Sequence, residues 1–432
     1  MWKSSEGWSM RHALMLSLAL NVWLLLRLAH EREYNLGTDE NFRGFCTEEK
    51  ASSFLSNSTS NSSAIDEFDD DQGRVINLDH GDPTMYESYW RQAGDKTTVV
   101  ISGWQAMSYF SDVRNICWFL EPELAKEVIR LHKIVGNAVT EGRHIVAGTG
   151  STQLFQAALY ALSYGGTEPI SVVSATPYYS FYRQVVEYMK SGLYKWAGDA
   201  SSFNEDKPYI ELITSPNNPD GFMRQPVVNR SKGMLVHDFA YYWPQYTPIT
   251  SPADHDIMLF TVSKCTGHAG MRIGWALVKD EEIARRMTKY IELSSIGVSK
   301  DSQFRAAKIV KAVSDSCEHA YDSNFFEVSY HVMSQRWSRL RDAVKKSGMF
   351  STPKFPPAFC KYSNRTFGTQ PAFAWLKCEG DIEDCESFLR DHKILTRSGK
   401  HFGMSPKYVR ISMLDQDSNY DLFTKRLSAM RS

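Results

Sequence analysis

The sequence lacks most of the features that would announce a specialised class. Its seven cysteines, at positions 46, 117, 265, 317, 360, 378 and 385, contain no CxxC pair. That spacing argues against a structural zinc site and a disulfide scaffold, and for most of them being reduced, buried thiols. Charge of neither sign dominates: 49 Lys and Arg stand against 50 Asp and Glu, a net charge of −1. Nothing in that balance favours nucleic acid or another polyanionic partner. No internal repeat is visible. Global disorder is excluded by what is present, since 42% of the 432 residues are hydrophobic and 13% aromatic. At roughly 150 residues per domain, the length allows two or three domains, or one large α/β catalytic unit with a satellite.

The front of the chain is compositionally distinct. Residues 13–26 read ALMLSLALNVWLLL, somewhat short of the about 20 apolar residues that a bilayer-spanning helix needs. Leu28 and Ala29, with Arg11 and Arg27 snorkelling, extend the run towards that length. No small-x-small cleavage site follows, so residues 1–30 are read as a hydrophobic anchor; a cleaved signal peptide and a soluble amphipathic helix are the competing readings. Basic residues flank the run almost equally, which leaves orientation undecided. Residues 31–73 carry SSFLSNSTSNSS and DEFDDD, a Ser-rich and acidic tether with few large apolar groups. Asn57 and Asn61 head glycosylation sequons, meaningful only on a lumenal side. The globular part is expected to begin near Arg74.

Beyond residue 140, β-like runs alternate with helix-compatible stretches, the pattern of a mostly parallel α/β sheet. The runs are HIVAGTG (144–150), ISVVSA (170–175), YIELIT (209–214), MLVHDF (234–239), IMLFTVSK (257–264) and RIGWALV (272–278). In such sheets functional residues sit at the carboxyl ends of strands, and polar residues collect at those ends here. In GTGSTQ (148–153), Ser151 and Thr152 open a helix whose free N–H groups suit a phosphate; a plain N-cap accounts for the same residues. In TSPNNPDG (214–221), Asn218 can aim an amide at a ligand, or the segment is simply a turn. Asp238 ends an apolar strand, where an unpaired carboxylate is costly, so it calls for a cationic partner, with Tyr241 nearby. A structural turn cap is the alternative. Thr261, Ser263 and Lys264 end the next strand and Arg272 begins the one after. A lysine at a buried strand end, beside another cation, is a usable imine-forming nucleophile.

Taken together these groups describe one ligand. A phosphate needs amides, hydroxyls and Arg272. A protonated aromatic nitrogen needs a buried acid such as Asp238. A phenolate oxygen needs donors such as Asn218 and Tyr241, and an aldehyde needs Lys264. Pyridoxal 5′-phosphate has all four features.

The Asn-Pro-x-Gly turn, the Asp-x-x-Tyr strand end and Ser-Lys followed eight residues later by Arg resemble fold-type I pyridoxal-phosphate enzymes of the aminotransferase superfamily. Longer runs, NLDHGDPTMYESYW (77–90), MSYFSD (107–112), CWFLEPEL (117–124) and HDFAYYWP (237–244), resemble the plant tryptophan aminotransferase-related group of the alliinase-like family over residues 74–430. The resemblance implies an α/β fold: a large domain with a mostly parallel seven-stranded sheet at 136–320, and a smaller α/β domain at 321–432. Residues 74–135 would contribute to the small domain and to dimer contacts. It implies Lys264 as the lysine that binds the cofactor aldehyde, Asp238 at the pyridine nitrogen, and Asn218 and Tyr241 at the 3′-oxygen. Ser151, Thr152, Thr261, Ser263 and Arg272 would hold the phosphate, Tyr109 would reach the phosphate of a neighbouring subunit in a homodimer, and Arg410 would clamp the substrate α-carboxylate. Read from its residues alone, Arg410 in KYVRISML fits a surface salt bridge as well.

The activity implied is transfer of the amino group of L-tryptophan to a 2-oxo acid such as pyruvate, giving indole-3-pyruvate and L-alanine, the first step of auxin synthesis by that route. Trp104, Phe110 and Trp243 could line an aromatic pocket, or be core residues. An alliinase-type C–S lyase is the main alternative, weakened because only Cys46 precedes residue 74, where alliinases carry a cysteine-rich segment. A non-catalytic, membrane-tethered binding protein is the remaining one. The expected location is a single-pass protein of the endoplasmic reticulum membrane, with the side of the catalytic domain open.

Overall fold

The computed structural model describes residues 73–166, 168–318 and 324–431, within a compact unit spanning Asp70–Ser432. Its centre is a seven-stranded sheet made from β2 (His144–Gly148), β3 (Ile170–Ser174), β4 (Tyr194–Asp199), β5 (Tyr209–Thr214), β6 (Gly233–Asp238), β7 (Ile257–Thr261) and β8 (Gly274–Val278). The short strand β1 (Ile76–Asn77) precedes it. The spatial order is β2-β8-β7-β6-β5-β3-β4. β4, β3, β5, β6 and β7 pair in parallel, whereas β8 runs antiparallel to both neighbours. Neighbouring parallel strands need a crossover layer between them. β7 and β8 have only the turn Val262–Cys265 and a second tight turn at Ala269–Met271 between them, so the chain doubles back.

β5, β7 and β8 are buried along their whole length, because helices cover both faces. The helix Pro122–Val135 starts with proline at a position whose N–H is free anyway and stops at Gly136 in the left-handed region. Its His132 is buried under the sheet, with Nδ1–H donating to Asn137 Oδ1 at 2.8 Å and Nε2 accepting from the Trp275 indole at 2.9 Å. Burial pushes its pKa down to about 4, so the ring is neutral.

The remaining strands are β9 (Phe350–Ser351), β10 (Ala358–Cys360), β11 (Arg365–Phe367), β12 (Phe373–Cys378), β13 (Ile394–Leu395), β14 (Arg397–Ser398) and β15 (Tyr408–Ser412). Four of them form an antiparallel sheet in the order β14-β15-β12-β9. β1 pairs with β13, Ile76 opposite Ile394, and so ties the start of the described chain to this C-terminal region.

Three expectations change. Lys264 and Ser263 do not end a strand: β7 stops at Thr261, whose side chain caps the helical turn Val262–Cys265 that carries them. Arg272 does not begin β8 but precedes it, in the left-handed region at φ 55°. The expectation of mostly thiols gains one exception: Cys117, Cys265, Cys317 and Cys360 are free, but Cys378 and Cys385 form a disulfide. The turn between β12 and the helix Cys385–Asp391 brings their Cα atoms to 5.6 Å, within bridging range.

A fourth correction concerns the membrane. Among the described residues no helix is long and apolar enough to cross a bilayer, which overturns the expected single-pass localisation in the endoplasmic reticulum membrane. The apolar run at residues 13–26, the tether and the sequons at Asn57 and Asn61 lie outside the described residues.

Candidate active site

The parallel strands all end on one edge of the sheet, and β8, being antiparallel, starts there: Gly274 is opposite both Gly148 and Thr261. A cavity lies along this edge. It is lined by Ser151, Thr152, Asn218, Asp238, Tyr241, Thr261, Ser263, Lys264 and Arg272, together with Tyr179, Thr214, Ala240 and Ala269. Nine of the eleven residues expected from the sequence thus converge on one space. Arg410 borders it by contact, and Tyr109 does not join it.

One end of the cavity is cationic and rich in donors. The helix Gly150–Ser163 begins there, and its N-cap residue Thr149 makes no side-chain capping bond. The first amides are therefore left for a ligand, with the positive end of the helix dipole behind them. Gly150 is needed at this point: its φ is +73°, and a Cβ would stand 2.5 Å from the guanidinium of Arg272. Gly274 is needed opposite, because a Cβ there would lie 2.9 Å from the Ser151 amide nitrogen. Arg272 reaches the Ser263 hydroxyl at 3.4 Å and the Ala269 carbonyl at 3.0 Å. Thr261 Oγ1 donates to the Ile273 carbonyl at 2.9 Å and accepts from the Ser263 amide at 3.2 Å.

The middle is acidic and phenolic. Asp238 is 4% exposed, and both its hydrogen-bond partners are neutral: the Ala240 amide on Oδ1 and the Tyr182 hydroxyl on Oδ2, each at 3.0 Å. Burial pushes its pKa up to about 6, and those two bonds pull in the other direction. A buried carboxylate so placed is suited to a cation from a ligand. Tyr241 lies beside it and hydrogen-bonds Asn218; burial holds its phenol well above the ordinary range.

Two more cations border the cavity, Lys264 and Arg410. Burial, reinforced by the charges of Arg410 and Arg272, brings Lys264 down to about 8. Its Nζ donates to the Gly81 carbonyl. Arg410 crosses over from β15, donating to Asn218 Oδ1 at 3.2 Å and to the Asp79 carbonyl. It lies 4.1 Å from the Phe373 ring centroid, and its Nε is buried without a partner among the described residues. The surface-salt-bridge reading of Arg410 fails, because it is 3% exposed.

The uncapped helix end, the buried unpaired acid and the lysine of lowered pKa fit pyridoxal 5′-phosphate. The sequence pattern did not mark Tyr179 and Thr214 in the lining or the carbonyls of Asp79 and Gly81. Thr214 closes β5 and Tyr179 immediately precedes the helix Ser180–Met189, so only their position in the fold marks them. Trp243 is fully buried core, while Trp104 and Phe110 are 73% and 48% exposed; none of the three lines the cavity. Tyr109 is 57% exposed and packs on Phe110 and Trp118.

The fold and this cavity are those of a fold-type I pyridoxal-phosphate-dependent enzyme, the fold shared by aminotransferases. Solved structures share the fold: aspartate aminotransferase from Rhizobium meliloti superposes with a TM-score of 0.59 at 18% identity, covering 82% of this chain and 91% of that one. An aminotransferase from Mycobacterium tuberculosis gives 0.58 at 16% identity over 83% and 91%. More specifically, the chain belongs to the allinase family, which matches residues 76–431. It is 58% identical to tryptophan aminotransferase-related protein 2 of Arabidopsis thaliana over 98% of this chain and 97% of that protein. It is 38% identical to alliin lyase of Allium cepa var. aggregatum over 81% and 80%. Families of this type are pyridoxal-phosphate-dependent.

Proposed function

We propose that this chain is an aminotransferase that moves the amino group of L-tryptophan to a 2-oxo acid, pyruvate in the simplest case, releasing indole-3-pyruvate and L-alanine and so feeding auxin synthesis. The observation that carries the reading is the joint placement of Lys264, Asp238 and Arg410 about one cavity in a chain 58% identical to a tryptophan aminotransferase-related protein.

Ser151, Thr152, Thr261, Ser263 and Arg272 would hold the cofactor phosphate, and Asn218 with Tyr241 its ring oxygen. Bound there, pyridoxal 5′-phosphate supplies an aldehyde for the amino group and a ring that accepts electrons from the α-carbon. Arg410 offers its planar fork to the substrate carboxylate, which orients the α-hydrogen. The amine of Lys264, neutral in a large fraction near its pKa of about 8, takes that proton at Nζ and returns it at the neighbouring carbon. The negative charge of Asp238 favours a proton on the ring nitrogen. Tyr109 is assigned to a second copy of the chain in a homodimer. Residues 74–135 and 321–432 are assigned to a small domain carrying Arg410, and 136–320 to a large one carrying the cofactor.

The 38% identity to alliin lyase favours one second reading, elimination of a sulfur leaving group from an S-alkyl cysteine sulfoxide. A single assay separates the two. The full chain with L-tryptophan and pyruvate should yield indole-3-pyruvate and alanine in equal amounts. Ammonia and pyruvate from the sulfoxide, without transfer, would replace the first reading by the second.

A further inference from the structure

Asp238 has a support that stands behind the cavity wall. Tyr182 belongs to the helix Ser180–Met189 and is 1% exposed. The rings of Phe155 and Tyr179 fix it edge-on, at 5.2 and 5.3 Å. Its hydroxyl donates to Asp238 Oδ2 at 3.0 Å and stands 2.8 Å from Thr214 Oγ1. A phenol has one proton to give. With that proton on the carboxylate bond, the phenol oxygen must accept from Thr214, so the chain of donation runs Thr214 to Tyr182 to Asp238. Its two ends are already fixed, since Thr214 and Asp238 are register partners at the ends of β5 and β6.

We propose that Tyr182 is a positioning residue for the cofactor: through Thr214–Tyr182–Asp238 it holds the carboxylate ionised and aimed, so that Asp238 can keep a proton on the ring nitrogen. The proposal rests on the functional reading above. Burial works against the ionised carboxylate, and a hydrogen bond to a charged acceptor is roughly twice as strong as one between neutral groups. The other titratable groups facing Asp238 are the phenols of Tyr179 and Tyr241, neutral like Tyr182. Without the Tyr182 hydroxyl, Oδ2 would face the edge of a bare ring, and Thr214 would lose its acceptor.

The test uses the full-length holoprotein and three variants, followed by absorption of the bound cofactor against pH, by cofactor dissociation and by turnover. Tyr182→Phe should still bind the cofactor, with its titration midpoint moved by about one unit and its dissociation constant raised roughly tenfold. The value of kcat should fall while the KM for the amino acid changes little. Thr214→Val, which keeps the phenol in place, should shift the same quantities in the same direction by less, and it decides the matter if the phenylalanine variant does not fold. A Tyr182→Phe protein that titrates and binds like the wild type, losing only thermal stability, would overturn the proposal and make the residue a packing group. Asp238→Asn separates this from a failure of the functional reading: if that variant too leaves spectrum and affinity unchanged, the assignment of Asp238 itself is wrong.

Discussion

The two halves of the cavity are built in different ways. The half that carries Ser151, Asn218, Asp238 and Lys264 consists of short junctions, each following directly on a strand of the seven-stranded sheet. The half that carries Arg410 is assembled from distant chain: a strand near the C-terminus, the Asp79 carbonyl near the start of the described chain, and Asn218 in between. A local junction needs only its own strand and helix to be in register. The distant half needs the β1–β13 and β12–β15 pairings as well. On the proposed function, cofactor binding and substrate orientation rest on different stretches of chain that meet at Asn218, and mutations should separate them.

The largest expected effect breaks the local half. If Lys264 has its proposed roles, Lys264→Ala removes both the group that binds the aldehyde and the base, and turnover should fall by at least about 10²–10⁴-fold. The check is the absorption band of the holoprotein alongside amino transfer; a variant keeping both would remove Lys264 from its role. Next, Arg410→Ala should leave the cofactor bound but raise the KM for the amino acid on the order of 30-fold or more, since truncating one partner of a buried charge pair costs about 2–5 kcal/mol. Arg410→Lys should recover only part of this, because an ammonium cannot reproduce the bidentate fork. If Arg410→Ala instead released the cofactor, the two halves would not be independent.

A smaller effect is expected from Gly150→Ala. The positive φ and the approach of Arg272 both oppose a side chain there, and a strain of about 1–3 kcal/mol should appear as weaker cofactor binding with the KM for the amino acid unchanged. The mildest test varies pH alone. Lys264 is held down to about 8, so its neutral, reactive form grows as pH rises through that value. The rate of cofactor attachment to the apoprotein should therefore increase from about pH 7 to about pH 9 and level off above it. A rate flat across that interval would contradict the lowered pKa.

The same division decides what was legible in the sequence. β5 occupies Tyr209–Thr214 as expected, and the other runs shifted by a few residues at their ends. Asp238 and Lys264 stood out because each closes a mostly apolar run of sequence, where a charge is costly to bury unless a partner or ligand meets it. β4 was missed because its residues, YKWAGD, are half polar and only Tyr194 is buried. The direction of β8 was not legible, since a buried strand reads alike in either sense. Tyr182 carries no signal of its own in the sequence, because the role proposed for it depends on Asp238, 56 positions away. The Cys378–Cys385 bridge was hidden because a spacing of seven becomes bridging only through the fold of the intervening turn. Arg410 was placed by family resemblance, and its burial became visible only with β12 and β15 paired around it.

The central claim is that one cavity exchanges an amino group between two acids. Its most direct measurement is to supply ¹⁵N-labelled L-tryptophan and unlabelled pyruvate to the full-length protein and follow the label. The account predicts that the label appears in alanine, one equivalent for each indole-3-pyruvate formed, and that Lys264→Ala abolishes the transfer. Label released as ammonia, with no labelled alanine, would contradict it.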